Sequence, residues 1–81
     1  MITAAQCRAS RALLGIEQSK LAELAGLSLP TIQRMEASDG IVRGNVNSLT
    51  RVVEALDKAG IELIGEGAQS TASGRGVRLK A

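Results

Sequence analysis

Side chains that could catalyse a reaction or bind a metal are scarce in this chain of 81 residues. There is no histidine, and Cys7 is the only cysteine. An intramolecular disulfide, a zinc finger and histidine-dependent catalysis are therefore excluded. We expect Cys7 to lie on the inward face of a helix, where a free cysteine behaves as a small buried hydrophobe. No motif places a pair of carboxylates together, so the residue types argue against an enzyme.

The charged residues do not by themselves indicate a nucleic-acid-binding protein. The formal net charge is +2, and residues 1–66 hold seven Lys and Arg against eight Asp and Glu. A basic cluster of Arg75, Arg78 and Lys80 follows, which we expect to protect a strand edge or solubilise the chain rather than bind DNA. Any nucleic-acid function must therefore rest on a motif.

Residues 18–37 supply such a motif. Gly26 stands where the chain needs a left-handed turn conformation, which other residues adopt at an energetic cost. Ala22 is small where the next helix must cross closely above it. The other interior positions are filled by apolar residues: Leu21, Ala25, Leu27, Ile32 and Met35. All seven positions fit the helix-turn-helix pattern, which predicts that motif here.

Capping residues predict the three helices that would position the motif. The first runs over about 4–14 and is opened by a capping box of Thr3 and Gln6. The second covers about 18–25, and the third follows Ser28 as N-cap, with Pro30 in its first turn. The second helix is expected to bury one apolar side: Leu21, Ala22, Leu24 and Ala25. In the third helix we expect Ile32 and Met35 to point inward, and Leu29, Gln33 and Arg34 to point outward.

A fourth helix is predicted from apolar residues at helical spacing: Val46, Leu49, Val53 and Leu56. Asn45 is its expected cap and Gly60 its expected end. After Gly60 the pattern alternates, which predicts short strands at 61–64 and 76–80 with a flexible Gly-rich loop between them. These strands could pair within one chain or between two chains.

The expected fold class is therefore mainly α, with two parts. Residues 1–60 would form a four-helix domain, and residues 61–81 a C-terminal extension with a short β-strand or hairpin. The core has no Phe, Trp or Tyr, and so thin a core favours dimerisation, which we assign to the extension.

The chain resembles the XRE family, whose members include phage lambda repressor and Cro. The resemblance covers about residues 3–58 and is carried by Arg8-x-x-Arg11-x-x-x-Gly15-Ile16-x-Gln18-x-x-Leu21-Ala22-x-x-Ala25-Gly26-Leu27-Ser28-x-x-Thr31-Ile32-x-x-Met35-Glu36. It implies a lambda-repressor-like helix-turn-helix domain that binds operator DNA as a dimer, with the third helix in the major groove.

The resemblance also implies roles for individual residues. Gln18 matches a glutamine that holds a DNA phosphate, and Arg11 with Glu36 matches a pair that ties the first helix to the third. Arg34 would form bidentate hydrogen bonds with guanine, and Gln33 would pair with adenine or a phosphate. The DNA-binding set implied in this way is Gln18, Ser28, Leu29, Pro30, Thr31, Gln33, Arg34, Arg43, Asn45 and Asn47.

The chain departs from the family pattern in two ways. Glu17 stands where relatives usually place a Ser or Thr cap. The apolar pair Leu29 and Pro30 replaces polar residues that read bases, and can only touch thymine methyls or set shape. We therefore expect part of the sequence preference to arise indirectly, from DNA shape.

The expected function is a dimeric, sequence-specific transcriptional regulator, a repressor, that binds a palindromic operator. The alternative is an antitoxin that neutralises a toxin partner and autoregulates its operon, because HipB-like antitoxins resemble this layout of a DNA-binding domain followed by a dimerising strand. No apolar run approaches the roughly 20 residues of a membrane span, and no secretory stretch is present. A cytoplasmic, nucleoid-associated protein without a cofactor or membrane partner is therefore expected.

Overall fold

The computed structural model describes residues 2–38, 46–65 and 75–80. Within these residues the chain forms four helices and two strands: α1 Ala4–Leu14, α2 Gln18–Ala25, α3 Leu29–Glu36, α4 Val46–Lys58, β1 Ile61–Ile64 and β2 Gly76–Leu79. A small, mainly helical domain with a short antiparallel hairpin is thereby confirmed. None of the helices in the described ranges is long and apolar enough to cross a membrane.

Local sequence sets the ends of the first three helices. The Thr3 hydroxyl accepts from the Gln6 N–H at 3.0 Å, and the Gln6 side-chain oxygen accepts from the Thr3 N–H at 2.9 Å, which is the predicted capping box. Gly15 and Gly26 end α1 and α2 in the left-handed conformation, each with φ of 68°. Ser28 caps α3 through its side chain. Glycine tolerates positive φ without the steric penalty of a Cβ, so both helices stop where the sequence predicts.

The core is aliphatic and includes the hairpin. Its largest fully buried side chains are Ile2, Leu21, Ile32, Val52, Leu56 and Ile61. The α2 helix packs against α3 and α4, while β1 packs against α4 and β2 against α1. Ile61 belongs to the hairpin yet is as deeply buried as the helical residues, so the described part of the extension shares one core with the helices.

Two apolar residues that the helical pattern groups with core positions are exposed instead. Leu24 is 47% exposed and Val46 is 70% exposed. In α2 the buried side is narrower than expected, and position 24 is turned toward solvent by the 3.6-residue helical repeat. In α4 the buried residues are Leu49, Val52, Ala55 and Leu56. Val46 is the first residue of this helix and lies about one turn before Leu49, the first buried residue.

The two strands pair within the chain. β1 and β2 are antiparallel, with Ile61 opposite Leu79 and Ile64 opposite Gly76. Leu63 and Val77, which are also opposite each other, pack against the core on the inner face of the hairpin. The pairing that the sequence leaves open is thus intramolecular in this structure.

The Gln6 side chain fastens the hairpin to α1. Its Nε2 donates to the carbonyl oxygens of Ile64 at 3.1 Å and Gly76 at 3.0 Å, which form the last residue pair of the hairpin. Its oxygen is already used to cap α1. One buried side chain therefore fixes both the start of the first helix and the position of the strands.

Replacing Gln6 with Met should loosen the hairpin more than the helices. The variant fills a similar volume but removes the donor to the Ile64 and Gly76 carbonyl oxygens and the side-chain acceptor of the Thr3 N–H. We therefore expect the free energy of unfolding to fall by about 1–3 kcal/mol. Urea unfolding measures the loss, and hydrogen exchange should accelerate more at β1 and β2 than at α2. The exposed Gln33→Met is the matched control, and equal acceleration in every element would contradict a local clamp.

Candidate nucleic-acid interface

The α3 helix has one buried face and one exposed face. Ile32 and Met35 are buried in the core, whereas Leu29, Gln33 and Arg34 are exposed. This confirms the predicted orientation of the helix. Pro30, in the first turn, is exposed as well.

Hydrogen bonds join three polar side chains along the exposed face. The Ser28 and Thr31 hydroxyl oxygens lie 2.8 Å apart, and Arg34 Nη2 donates to Thr31 Oγ1 over a longer distance of 3.5 Å. The Thr31 N–H also donates to Ser28 Oγ at 3.3 Å. Residues three apart in a helix share a face, so these side chains form a line along the helix. We call Ser28, Thr31 and Arg34 the polar row.

The C-terminal end of α3 is anchored by one carboxylate. Glu36 is only 4% exposed, and Arg11 donates to its two oxygens from Nε at 2.6 Å and from Nη2 at 2.7 Å. Gln18 Nε2 donates to Oε1 at 3.2 Å, and the Cys7 thiol donates to Oε2 at 3.4 Å. The bidentate Arg11 contact is the strongest of these bonds because both partners are charged. A single side chain of α3 is thereby bound to both α1 and α2.

The protonation states of this cluster follow from its contacts. Burial by itself would raise the pKa of Glu36, but the hydrogen bonds from Arg11 and Gln18 and the charge of Arg11 outweigh it and lower that pKa. The hydrogen bond to Glu36 likewise raises the pKa of Arg11. Burial raises the pKa of the Cys7 thiol to about 12, and the Glu36 carboxylate adds to the rise. At neutral pH Cys7 is therefore a neutral donor with little thiolate character.

Two further arginines hold the ends of the α3 segment. The Arg8 guanidinium donates to the Glu36 carbonyl oxygen at the end of α3. Arg51, on α4, donates from Nη1 to the Gly26 carbonyl oxygen at 3.2 Å, in the turn that precedes α3. Cations near the final carbonyls of a helix are stabilising because these carbonyls are otherwise unpaired. Neither contact is signalled locally in the sequence, since the partners are 28 and 25 residues apart.

An open groove of about 470 Å³ lies beside the start of α2 and the exposed face of α3. Its lining residues are Arg11, Glu17, Gln18, Ser19, Leu29 and Gln33. Glu17 is the N-cap of α2 but makes no capping hydrogen bond through its side chain. The first backbone N–H groups of α2 therefore lack a side-chain cap, and could donate to an anion in the groove. The carboxylate of Glu17 would oppose that anion.

The remaining sequence predictions concern residues outside α2 and α3. Arg43 and Asn45 lie outside the described residues, and Asn47 is exposed in the first turn of α4. Within the basic cluster, Arg78 forms an ion pair with Glu62 at 2.7 Å, and Lys80 pairs with Asp57. These two cations are thus occupied by carboxylates of the hairpin and of α4.

No family model matches the chain, and no curated protein is significantly similar to it. A functional interpretation therefore depends on the residue pattern and on the geometry described above.

Replacing Glu36 with Gln should destabilise the protein in a pH-dependent way. At neutral pH the variant leaves Arg11 without its counter-ion, which should lower the free energy of unfolding by about 2–4 kcal/mol. The folded-state pKa of Glu36 lies below the unfolded value of about 4.3. Its contribution is therefore complete above that value and is lost as the pH falls through the folded pKa.

Urea unfolding at a series of pH values tests this expectation. The difference between the wild type and Glu36→Gln should be largest at neutral pH and should shrink in acid. Glu23→Gln is the matched control, because Glu23 is exposed and, among the described residues, pairs with Lys20 alone, at 3.4 Å. A difference that stays constant into acid would show that the Glu36 charge does not stabilise the fold.

Proposed function

We propose that the protein binds double-stranded DNA sequence-specifically through a helix-turn-helix formed by α2, the turn at 26–28 and α3. The observation that carries this proposal is the division of α3 into two faces. Ile32, Met35 and Glu36 bind the helix to the rest of the domain, while Ser28 and Arg34 of the polar row are exposed and Thr31 between them is half-buried. A helix that is held rigidly on one side and presents polar side chains on the other is what major-groove readout requires.

The dimensions of α3 fit this role. An α-helix with its side chains is about 10–12 Å in diameter, which matches a major groove about 12 Å wide. Arg34 lies on its exposed face and carries a guanidinium suited to bidentate base contacts. Leu29 and Pro30 lie at its N-terminal end, where apolar contacts to thymine methyl groups are available.

The groove beside α2 is the proposed phosphate site. Gln18 uses one side-chain N–H to bind Glu36, which leaves its second N–H for a phosphate oxygen. Arg11 adds a positive charge, since its side chain is still 20% exposed while paired with Glu36. Phosphate contacts of this kind orient a protein on the duplex without reading its sequence.

We further propose a homodimer of the XRE type that represses transcription from a palindromic operator. Two copies of α3 would then enter major grooves about 34 Å apart. Support for a second subunit comes from the thin aliphatic core and from Leu79, which is 50% exposed at the end of β2. A groove of about 240 Å³ also lies between α4 and β1; its lining residues are Val53, Asp57, Ile61, Glu62, Leu63 and Lys80.

The second candidate function is an antitoxin that holds a partner protein. The same exposed Leu79 and neighbouring groove favour it, because a toxin could occupy the surface in place of a second subunit. Co-purification of the product of a neighbouring gene, in fixed stoichiometry, would favour this candidate. A clean homodimer from native cells would count against it.

Selection of bound sequences from random duplex DNA, run beside light scattering, tests the main proposal. We expect a two-chain particle to enrich an inverted repeat. Absence of any complex with duplex DNA, even at low ionic strength, would contradict the proposal.

Arg34→Ala should weaken binding to the selected duplex by about 1–3 kcal/mol and relax the preference at one base pair in each half-site. Fluorescence anisotropy with the selected duplex and its single-pair variants measures both effects. Lys58→Ala, on the last turn of α4, is the control for loss of one exposed positive charge. Unchanged affinity and preference in Arg34→Ala would remove this residue from base recognition.

Arg43→Ala should change DNA binding in a different way from Arg34→Ala, if Arg43 contacts a phosphate as the sequence resemblance implies. Binding should weaken alike for all sequences, and the slope of log affinity against log salt should flatten by about one unit. Titrations at several salt concentrations measure the slope. An unchanged slope would show that Arg43 touches no phosphate.

A further inference from the structure

We propose that the polar row recognises guanine, and that Thr31 is the positioning residue that sets this preference. The inference rests on the proposed DNA-binding function and specifies which base edge the site selects. It follows from the way in which donors and acceptors are used within the row.

The row uses three of the four acceptor sites of its two hydroxyl oxygens and leaves most of its donors available. A guanidinium can only donate, so Thr31 Oγ1 is the acceptor in its contact with Arg34. Ser28 Oγ is the acceptor for the Thr31 N–H. In the contact between the two hydroxyls one oxygen donates and the other accepts, so whichever donates, one hydroxyl proton stays available to a ligand. Most of the Arg34 N–H groups stay available as well.

Guanine is the base that best complements such a surface. In the major groove it presents two acceptors, N7 and O6, whereas adenine replaces the second with an N6 donor. Cytosine presents an N4 donor, which would face the donors of the row. Thymine offers a single acceptor, O4, beside its methyl group. A fork of N–H groups next to a hydroxyl donor therefore favours guanine over the other three bases.

Thr31 contributes by restricting Arg34 before DNA arrives. An exposed arginine side chain samples many rotamers, and a hydrogen bond to a neighbour on the same helix face limits this freedom. Within the described residues, Gln33 makes no side-chain hydrogen bond, and its amide both donates and accepts. Gln33 is therefore not restrained by a neighbouring side chain as Arg34 is, and it is not limited to donating hydrogen bonds.

The test compares Thr31→Val, which removes the hydroxyl, with Thr31→Ser, which keeps it. A pool of random duplexes is first used to select a preferred sequence. Binding is then measured to the selected duplex and to two versions of it, in which the selected guanine is replaced by adenine or by 7-deazaguanine, which lacks the N7 acceptor. Thr50→Val is the matched control, because Thr50 is exposed on α4. Thermal melting of each variant checks that the fold is kept.

We expect the wild type to select a guanine in each half-site and to lose affinity for both substituted duplexes. Thr31→Val should reduce the preference for guanine over adenine by about two- to tenfold, the change expected when a rotamer-rich side chain has to be ordered on binding. Its binding to unselected DNA should fall less than its binding to the selected duplex. Thr31→Ser and Thr50→Val should keep the wild-type preference.

The outcomes separate this inference from the function on which it rests. If duplex DNA is bound but the selected base is not guanine, or if Thr31→Val keeps the full preference, the role of Thr31 is overturned while DNA binding stands. If no variant and no wild-type protein binds any duplex at low ionic strength, the proposed function itself fails.

Discussion

The buried carboxylate of Glu36 is the contact on which the position of α3 depends. It accepts hydrogen bonds from Arg11 and Cys7 on α1 and from Gln18 at the start of α2. A buried charge is tolerated only when such partners replace water around it, so the loss of one partner would destabilise the whole cluster. Because these bonds all approach α3 from one side, the opposite side of the helix is left exposed.

Tertiary contacts must hold α3, because a helix of eight residues is not stable alone in water. Ile32 and Met35 supply the apolar part of these contacts, and Glu36 the polar part. Arg51 fixes the turn before the helix through the Gly26 carbonyl. With its backbone held at both ends, the helix can present the polar row in one orientation, which is the condition for discriminating between bases.

Much of this arrangement could be predicted from the sequence, because its signals are local. Thr3, Gly15, Gly26 and Ser28 mark helix ends through backbone preferences that act within a few residues. The orientation of α3 also follows from helical periodicity. Periodicity alone was insufficient for Leu24 and Val46, since it gives the direction of a side chain but not how far the core extends.

Contacts between distant parts of the chain could not be predicted in this way. Gln6 reaches carbonyl groups 58 and 70 residues away, and nothing in the local pattern specifies those partners. The position of Gln18 at the start of α2 suggests a phosphate contact. Its hydrogen bond to Glu36, 18 residues away, could not be predicted from the local sequence. The spacing of Ser28, Thr31 and Arg34 allows contact, but the use of their donors and acceptors depends on side-chain geometry.

The most direct test is a nuclear magnetic resonance titration of the labelled protein with selected duplex DNA at low ionic strength. We expect the largest amide shift changes at the start of α2 and along 28–34, with small changes in β1 and β2. Changes concentrated in the hairpin, or no changes at any DNA concentration, would contradict the claim that the exposed face of α3 binds DNA.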